Sequence, residues 1–138
     1  MSRLLSIAAV SLALTTPTAS AVAQPTSGPI EIQTAGGRKT ITPDWQKINA
    51  QPLGTRNNPV RADGSAGERA YMARLRCANG TVIYEQRRIG SGGVGPYTTD
   101  TATWEVECYG ELFIVYLDGS HPGYVERRAA RGFSIRDP

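Results

Sequence analysis

The fold is decided by the stretch ELFIVYLD at residues 111–118, which sets six consecutive apolar side chains between two acidic ones. A strand with one solvated face alternates apolar and polar residues, whereas a strand covered on both faces is apolar throughout. The stretch therefore predicts a strand at the centre of its sheet. Two segments can cover its second face: the N-terminal hairpin with Trp45, and the tail from Tyr124 to Ile135.

The segments that precede this strand extend the β pattern. Residues 101–108 alternate apolar and polar side chains, and residues 81–89 contain a run of β-branched and aromatic residues, so each segment predicts a strand. Residues 90–96 are rich in glycine and predict a flexible loop. The loop matches the G-x-G-x-x-G pattern of nucleotide-binding proteins, but no apolar helix follows it to direct amide donors at a phosphate, which excludes nucleotide binding.

Residues 66–76 fit two structures. Ser65 followed by Glu68 is typical of a helix N-terminus, while alternation up to Cys77 and the Asn79-Gly80 turn favour a strand. We favour the strand.

The N-terminal part of the domain predicts two short elements and a long connection. Residues 28–42 predict a hairpin that turns at glycines, and residues 43–49 predict one short helix, with Pro43 in its first turn. Residues 51–67 carry Pro, Gly, Asn and Asp without periodicity and predict a long loop. Residues 122–138 form a C-terminal tail.

Residues 1–23 have the order of a secretory signal peptide: Arg3, an uncharged apolar run, and then small residues. Cleavage can follow either Ala21 or Ala23. The apolar run is about half of the roughly 20 residues that span a bilayer, so we expect no membrane span after cleavage. We therefore expect residues 24–138 to form a single β-rich domain that is secreted or periplasmic.

Two cysteines, Cys77 and Cys108, are the only ones in the chain, and in an oxidising compartment such a pair predicts a disulfide. In a flat meander their strands would lie about 9.6 Å apart, but bridged residues need Cα atoms within roughly 7 Å. Either the two strands are neighbours or the sheet folds over. We expect a mainly β fold, alternatively α+β, whose small antiparallel or mixed sheet forms a sandwich or a partly open barrel.

The turn from Cys77 to Gly80, followed by an apolar strand, resembles the small periplasmic lysozyme-inhibitor barrels. The Ser-Gly and Lys-Gly stretches near the C-terminus of that family are missing here, so the resemblance assigns no residue a role.

Charge and ligand types exclude several classes of function. Removal of Arg3 with the signal leaves 14 basic against 12 acidic residues, an excess too small to indicate nucleic-acid binding. One histidine and no C-x-x-C pair exclude a structural zinc site, and we expect no metal and no cofactor.

Two groups of residues are candidate sites. Asp118, Ser120 and His121 could serve as orienter, nucleophile and base, but residues this close in sequence rarely reach the geometry of a triad, and a turn also explains them. We therefore assign no catalytic residue. Four arginines lie on adjacent predicted strands: Arg74, Arg76, Arg87 and Arg88. If their side chains converge, they would bind an anion or a partner; if they do not, they form a solvated face. If the cysteine-bearing strands are parallel neighbours, Arg74 and Arg76 lie beside Glu105 and Glu107.

The expected function is that of a non-catalytic binding or structural domain of the cell envelope or extracellular space. Its partner would be a protein or glycan, contacted through residues 51–67 and the glycine loop. Two alternatives remain open: a small envelope hydrolase centred on His121, and a secreted enzyme inhibitor.

Overall fold

The computed structural model describes residues 27–138, so the predicted signal peptide and its two cleavage positions lie outside the described residues. The fold is mainly β, as predicted. The elements in chain order are β1 (Ile30–Thr34), β2 (Gly37–Ile41), α1 (Trp45–Asn49), β3 (Val60–Asp63), α2 (Gly64–Arg74), β4 (Leu75–Cys77), β5 (Gln86–Val94), β6 (Asp100–Cys108), β7 (Glu111–Asp118), β8 (Ser120–Val125) and β9 (Phe133–Ile135).

The main sheet has five strands in the order β5-β6-β7-β3-β8, which confirms that the apolar strand β7 is central. The sheet is mixed, because β3 runs parallel to β7 while the other pairs are antiparallel. It is open, with β5 and β8 at its edges, and does not close into a barrel. Two further sheets each have two strands, β1-β2 and β4-β9.

The inner face of the main sheet carries the larger hydrophobic core. Tyr71 and Met72 of α2 and Leu75 of β4 pack there against side chains of β6 and β7, including Trp104 and Val115. The tail adds a buried alanine and two partly buried side chains of β9. The tail therefore covers the first face of the central strand.

The outer face is covered at one end only. Ile32, Ile48 and Tyr97 form a second cluster with Trp45 packed against it, and this cluster lies beside the Asp118 end of β7. At the other end, the side chains of Leu112 and Ile114 are 64% and 45% exposed. The prediction that β7 is buried on both faces is correct near Asp118 and wrong near Glu111.

The disulfide between Cys77 and Cys108 is confirmed, with Cα atoms 5.8 Å apart. It joins β4 to the end of β6, two strands that lie in different sheets. The chain therefore folds over rather than making these strands neighbours. As a result, Arg74 and Arg76 do not face Glu105 and Glu107 across a strand pair; the register places Arg87 of β5 opposite Glu105 instead.

Residues 66–74 belong to helix α2, so the strand that we favoured over residues 66–76 is wrong there, and only Leu75–Cys77 is extended. The buried residues Glu68, Tyr71, Met72 and Leu75 recur at the three- and four-residue spacing of a helix. The alternation that favoured a strand is explained by the shortness of the segment, because a few residues can fit both the two-residue period of a strand and the 3.6-residue period of a helix.

The strand predicted at residues 81–89 lies at Gln86–Val94, and the glycine stretch belongs to that strand rather than to a flexible loop. A Cβ on Gly92 would lie 2.5 Å from Thr101 Oγ1 and 2.8 Å from the ring of Tyr116. Glycine is required there because the neighbouring side chains occupy that space.

The predicted loop 51–67 and tail 122–138 contain more regular structure than expected. Strand β3 begins at Val60 and helix α2 at Gly64, while the tail contains the end of β8 and all of β9. The hairpin at 28–42 and the short helix near 43–49 are confirmed. Within residues 27–138, neither helix has the length and apolar character needed to cross a bilayer.

Candidate functional site

Asp118 and His121, which the sequence analysis singled out, lie together at the covered end of the sheet. Nε2 of His121 is 3.6 Å from Oδ2 of Asp118, and both side chains are buried. The Thr99 hydroxyl donates a hydrogen bond to Oδ2, and the Ser120 amide donates one to Oδ1 at 3.0 Å. Each carboxylate oxygen of Asp118 therefore accepts a hydrogen bond.

The pKa of Asp118 follows from these contacts. Burial alone would raise it, but His121 and the hydrogen bonds from Thr99 and Ser120 outweigh burial and lower the pKa below its usual value. Asp118 is therefore a charged group in a nearly dry environment.

Aromatic rings enclose this pair. The ring of Tyr97 meets that of His121 edge-on, with centroids 4.7 Å apart, and burial raises the pKa of Tyr97 to about 12. The buried guanidinium of Arg61 lies 3.8 Å from the ring centroid of Tyr124. We call Arg61, Tyr97, Asp118, His121 and Tyr124 the buried polar cluster.

Ser120 does not join Asp118 and His121 in a catalytic arrangement. Consecutive residues of a strand point to opposite faces, and no hydrogen bond links the Ser120 hydroxyl to His121 in the described chain. His121 is only 2% exposed. A substrate could reach this imidazole only after the surrounding aromatic side chains had moved.

The structure does not bring the four candidate arginines into one site. Arg74 donates to the carbonyls of Glu126 and Arg136, and Arg76 donates to two carbonyls of its own segment. Arg87 pairs with Glu105 at 2.8 Å and Arg88 with Glu68 at 3.4 Å. Each guanidinium thus has its own local partner.

A structural ion pair that the sequence analysis missed holds the tail. Arg128 donates to both carboxylate oxygens of the buried Glu126, at 2.9 and 2.8 Å. Burial alone would raise the pKa of Glu126, but Arg128 outweighs it and lowers that pKa. The Tyr71 hydroxyl donates to the Arg128 carbonyl and accepts from the Ala130 amide, which ties the tail to α2.

The uncovered part of the outer face is a second candidate site. The strand register sets Leu112 opposite Glu107 and Ile114 opposite Glu105. Just before β5, the ring of Tyr84 is 88% exposed. We call this surface the open face and define it by Tyr84, Glu85, Glu105, Glu107, Leu112 and Ile114.

Two grooves deepen the open face. One has a volume of about 260 Å³ and includes Leu112 in its wall; the other has a volume of about 300 Å³ and extends to Val82 and Tyr109. Both are lined by Tyr84, Glu85 and Glu107. Large apolar side chains and carboxylates therefore share one concave surface.

The open face is acidic although the chain as a whole is basic, with a formal charge of +3. Its carboxylates belong to Glu85, Glu105 and Glu107, and only Glu105 has a salt-bridge partner, Arg87, among residues 27–138. The sequence could not predict this face, because the register that sets glutamates beside apolar residues depends on how the strands pair.

No group of three or more His, Cys, Asp or Glu side chains within residues 27–138 is arranged to hold a metal ion. No protein-family model, curated protein or solved structure matches the chain.

Proposed function

We propose that this chain is a non-catalytic binding domain that acts outside the cytoplasm and docks a basic, amphipathic protein segment on its open face. One observation carries the proposal: the central strand of the sheet leaves Leu112 and Ile114 exposed on the same face as Glu85 and Glu107, which have no ion pair within residues 27–138. The disulfide supports the compartment, because such bridges persist in oxidising environments.

The apolar content of the open face supports docking. Among the described residues, five of the eight large exposed hydrophobic side chains lie on or beside it: Val82, Tyr84, Tyr109, Leu112 and Ile114. Single exposed apolar residues are ordinary, but a contiguous group rimmed by charges is typical of an interaction surface. Burial of each such side chain would contribute about 1–2 kcal/mol to binding.

The charge of the open face selects the partner. Lysine or arginine side chains would pair with Glu85 and Glu107, which have no ion pair within residues 27–138. A second copy of this chain docked through the same face would set carboxylate against carboxylate. Anionic lipid headgroups and nucleic acid would be repelled for the same reason. The partner is therefore a cationic polypeptide; if it belongs to an enzyme, the same docking makes this chain an inhibitor.

A small hydrolase centred on His121 is the second candidate, because Asp118 lies beside that imidazole. The burial of His121 favours a role in stability instead. Substitution His121→Ala separates the two functions, since it would abolish hydrolysis but leave docking on the distant open face unchanged.

The test titrates a short synthetic peptide of alternating lysine and leucine into the oxidised, isotope-labelled protein. We expect amide shifts centred on residues 105–107 and 112–114, and an affinity about tenfold lower for Ile114→Ser. The matched control is Ile89→Ser, because Ile89 is 48% exposed, slightly more than Ile114 at 45%, but lies outside the open face.

Two outcomes would contradict the proposal. One is equal binding of a peptide in which glutamate replaces lysine. The other is reversible self-association of the free protein that Ile114→Ser abolishes, which would make a second copy the occupant of the face.

A further inference from the structure

A third groove, of about 490 Å³, lies where three separate segments meet. It is bounded by α1, by the connection after α1 at residues 51–57, and by the end of β5 with residues 95–96. The sequence predicts binding through residues 51–67 and the glycine segment, and residues of both segments line this groove. Strand β5 has nine residues, and the eight steps from Gln86 to Val94 separate the groove from the open face by about 26 Å.

The connection that forms one wall is held rigidly. The Gly54 amide donates to the Asn58 carbonyl at 2.8 Å, and the Gly54 carbonyl accepts from the Tyr116 amide at 2.9 Å. The side-chain amide of Asn58 donates to the Gln51 carbonyl at 2.7 Å. A wall fixed in this way presents its side chains without a large loss of conformational entropy on binding.

Two cations line the groove, one from α1 and one from the connection after it. Lys47 belongs to α1, and Arg56 lies against Gly93, where an added Cβ would be 3.0 Å from its guanidinium nitrogen. Neither cation has a salt-bridge partner among residues 27–138. The one acidic residue of the lining, Asp44, has a carboxylate oxygen that accepts from the Lys47 amide at 3.1 Å.

The remaining lining suits a hydroxylated ligand. Gln51 and Asn57 are exposed in this lining, and the side-chain amide of each can donate to and accept from hydroxyl groups. Val94 and Pro96 supply an apolar wall against which the C–H face of a sugar ring can pack. The two cations match a carboxylate, which a guanidinium binds in a forked geometry.

We propose that this groove binds an acidic saccharide, with its carboxylate between Lys47 and Arg56 and its hydroxyls on Gln51 and Asn57. The site is independent of the open face, so the chain carries two surfaces for two kinds of ligand. One takes a cationic polypeptide and the other an anionic sugar.

The test titrates trigalacturonate and sialyllactose, with neutral maltotriose and inorganic phosphate as references, into the oxidised protein. At least one acidic saccharide should bind and shift the amides of residues 47, 56–57 and 94–95. Arg56→Gln and Lys47→Gln should each weaken that binding about tenfold, the factor expected for loss of one charge-assisted contact. The control is Lys39→Gln, which removes the other lysine of the chain, on β2, and should leave affinity unchanged.

The proposal would be overturned by no binding of either acidic saccharide up to about 10 mM, by equal binding of maltotriose, or by unchanged affinity in both groove variants. Phosphate that produces the same shifts at the same concentration would also overturn it, because the groove would then be a simple anion site. All three substituted side chains are exposed, so unchanged melting temperatures would show that the variants are folded.

Discussion

The two ends of strand β7 differ although both belong to one apolar stretch. At the Asp118 end, the outer face of the sheet is covered by the buried polar cluster and by the apolar cluster of the N-terminal hairpin and α1. At the other end, the same face leaves Leu112 and Ile114 open to solvent. An unbroken apolar strand thus indicates that burial of both faces is favourable. It does not indicate that other segments of the same chain bury both.

The two ends are also stabilised in different ways. The covered end is held by packing on both faces and by the hydrogen bonds of Asp118. The open end is packed on its inner face only, and the disulfide at Cys108 ties it to β4. We therefore expect the covered end to respond to changes in packing, and the open end to respond to loss of the disulfide and to changes in surface charge.

The largest effect should come from removal of the disulfide. Replacement of Cys77 and Cys108 by alanine should lower the free energy of unfolding by about 3–4 kcal/mol, because the bridge closes a loop of 31 residues. Chemical denaturation measures the loss. Hydrogen exchange should show that protection falls most at residues 105–114; an even loss over the whole sheet would contradict the proposed division of the two ends.

A matched pair of leucines on β7 compares the ends directly. Leu117→Ala should lower the free energy of unfolding by about 3 kcal/mol, because Leu117 is fully buried and its truncation leaves a cavity. Leu112→Ala should cost less than about 1 kcal/mol, since most of its side chain already contacts water. Similar losses in the two variants would show that the open end is buried in solution.

Two buried carboxylates should govern the response to acid: Asp118 at the covered end and Glu126 in the tail. The pKa values of Asp118 and Glu126 are lower in the folded protein than in the unfolded chain. Their stabilisation is therefore complete above the unfolded values, near pH 4, and is lost as the pH falls through the folded pKa of each group.

Thermal unfolding between neutral pH and pH 2 measures this loss. Asp118→Asn should lower the free energy of unfolding at neutral pH by roughly 1–3 kcal/mol, because its buried contacts are weakened. It should also reduce the loss of stability between neutral pH and pH 2. Glu107→Gln, at the open end, should change neither. A loss of stability between neutral pH and pH 2 that is as large in Asp118→Asn as in the parent protein would contradict this account.

Much of the strand pattern could be predicted from the sequence, because β6, β7 and the first hairpin have clear periodicity. Helix α2 could not, since its residues fit both a period of two and a period of 3.6 over so short a segment. Strand β3 was missed because it has only four residues and buries Arg61, a residue type that is normally exposed.

The candidate sites were predictable to different degrees. The proximity of Asp118 and His121 was visible in the sequence, but their burial was not, because the rings that enclose them come from distant segments. The open face depends on the register of Glu105 with Ile114 and of Glu107 with Leu112, which follows from strand pairing rather than from local sequence.

The most direct test of the open face is a reversal of its charge. The double variant Glu85→Lys with Glu107→Lys keeps every apolar side chain and exchanges two carboxylates that have no ion pair within residues 27–138 for ammonium groups. The control, Glu31→Lys with Asp137→Lys, reverses two charges on the hairpin and the tail. It has the same net charge as the double variant. Peptide titration should show that the double variant no longer binds the lysine–leucine peptide and binds the glutamate–leucine peptide instead. The control should bind the two peptides as the parent protein does. An unchanged preference in the double variant would contradict the claim that the open face binds a basic segment.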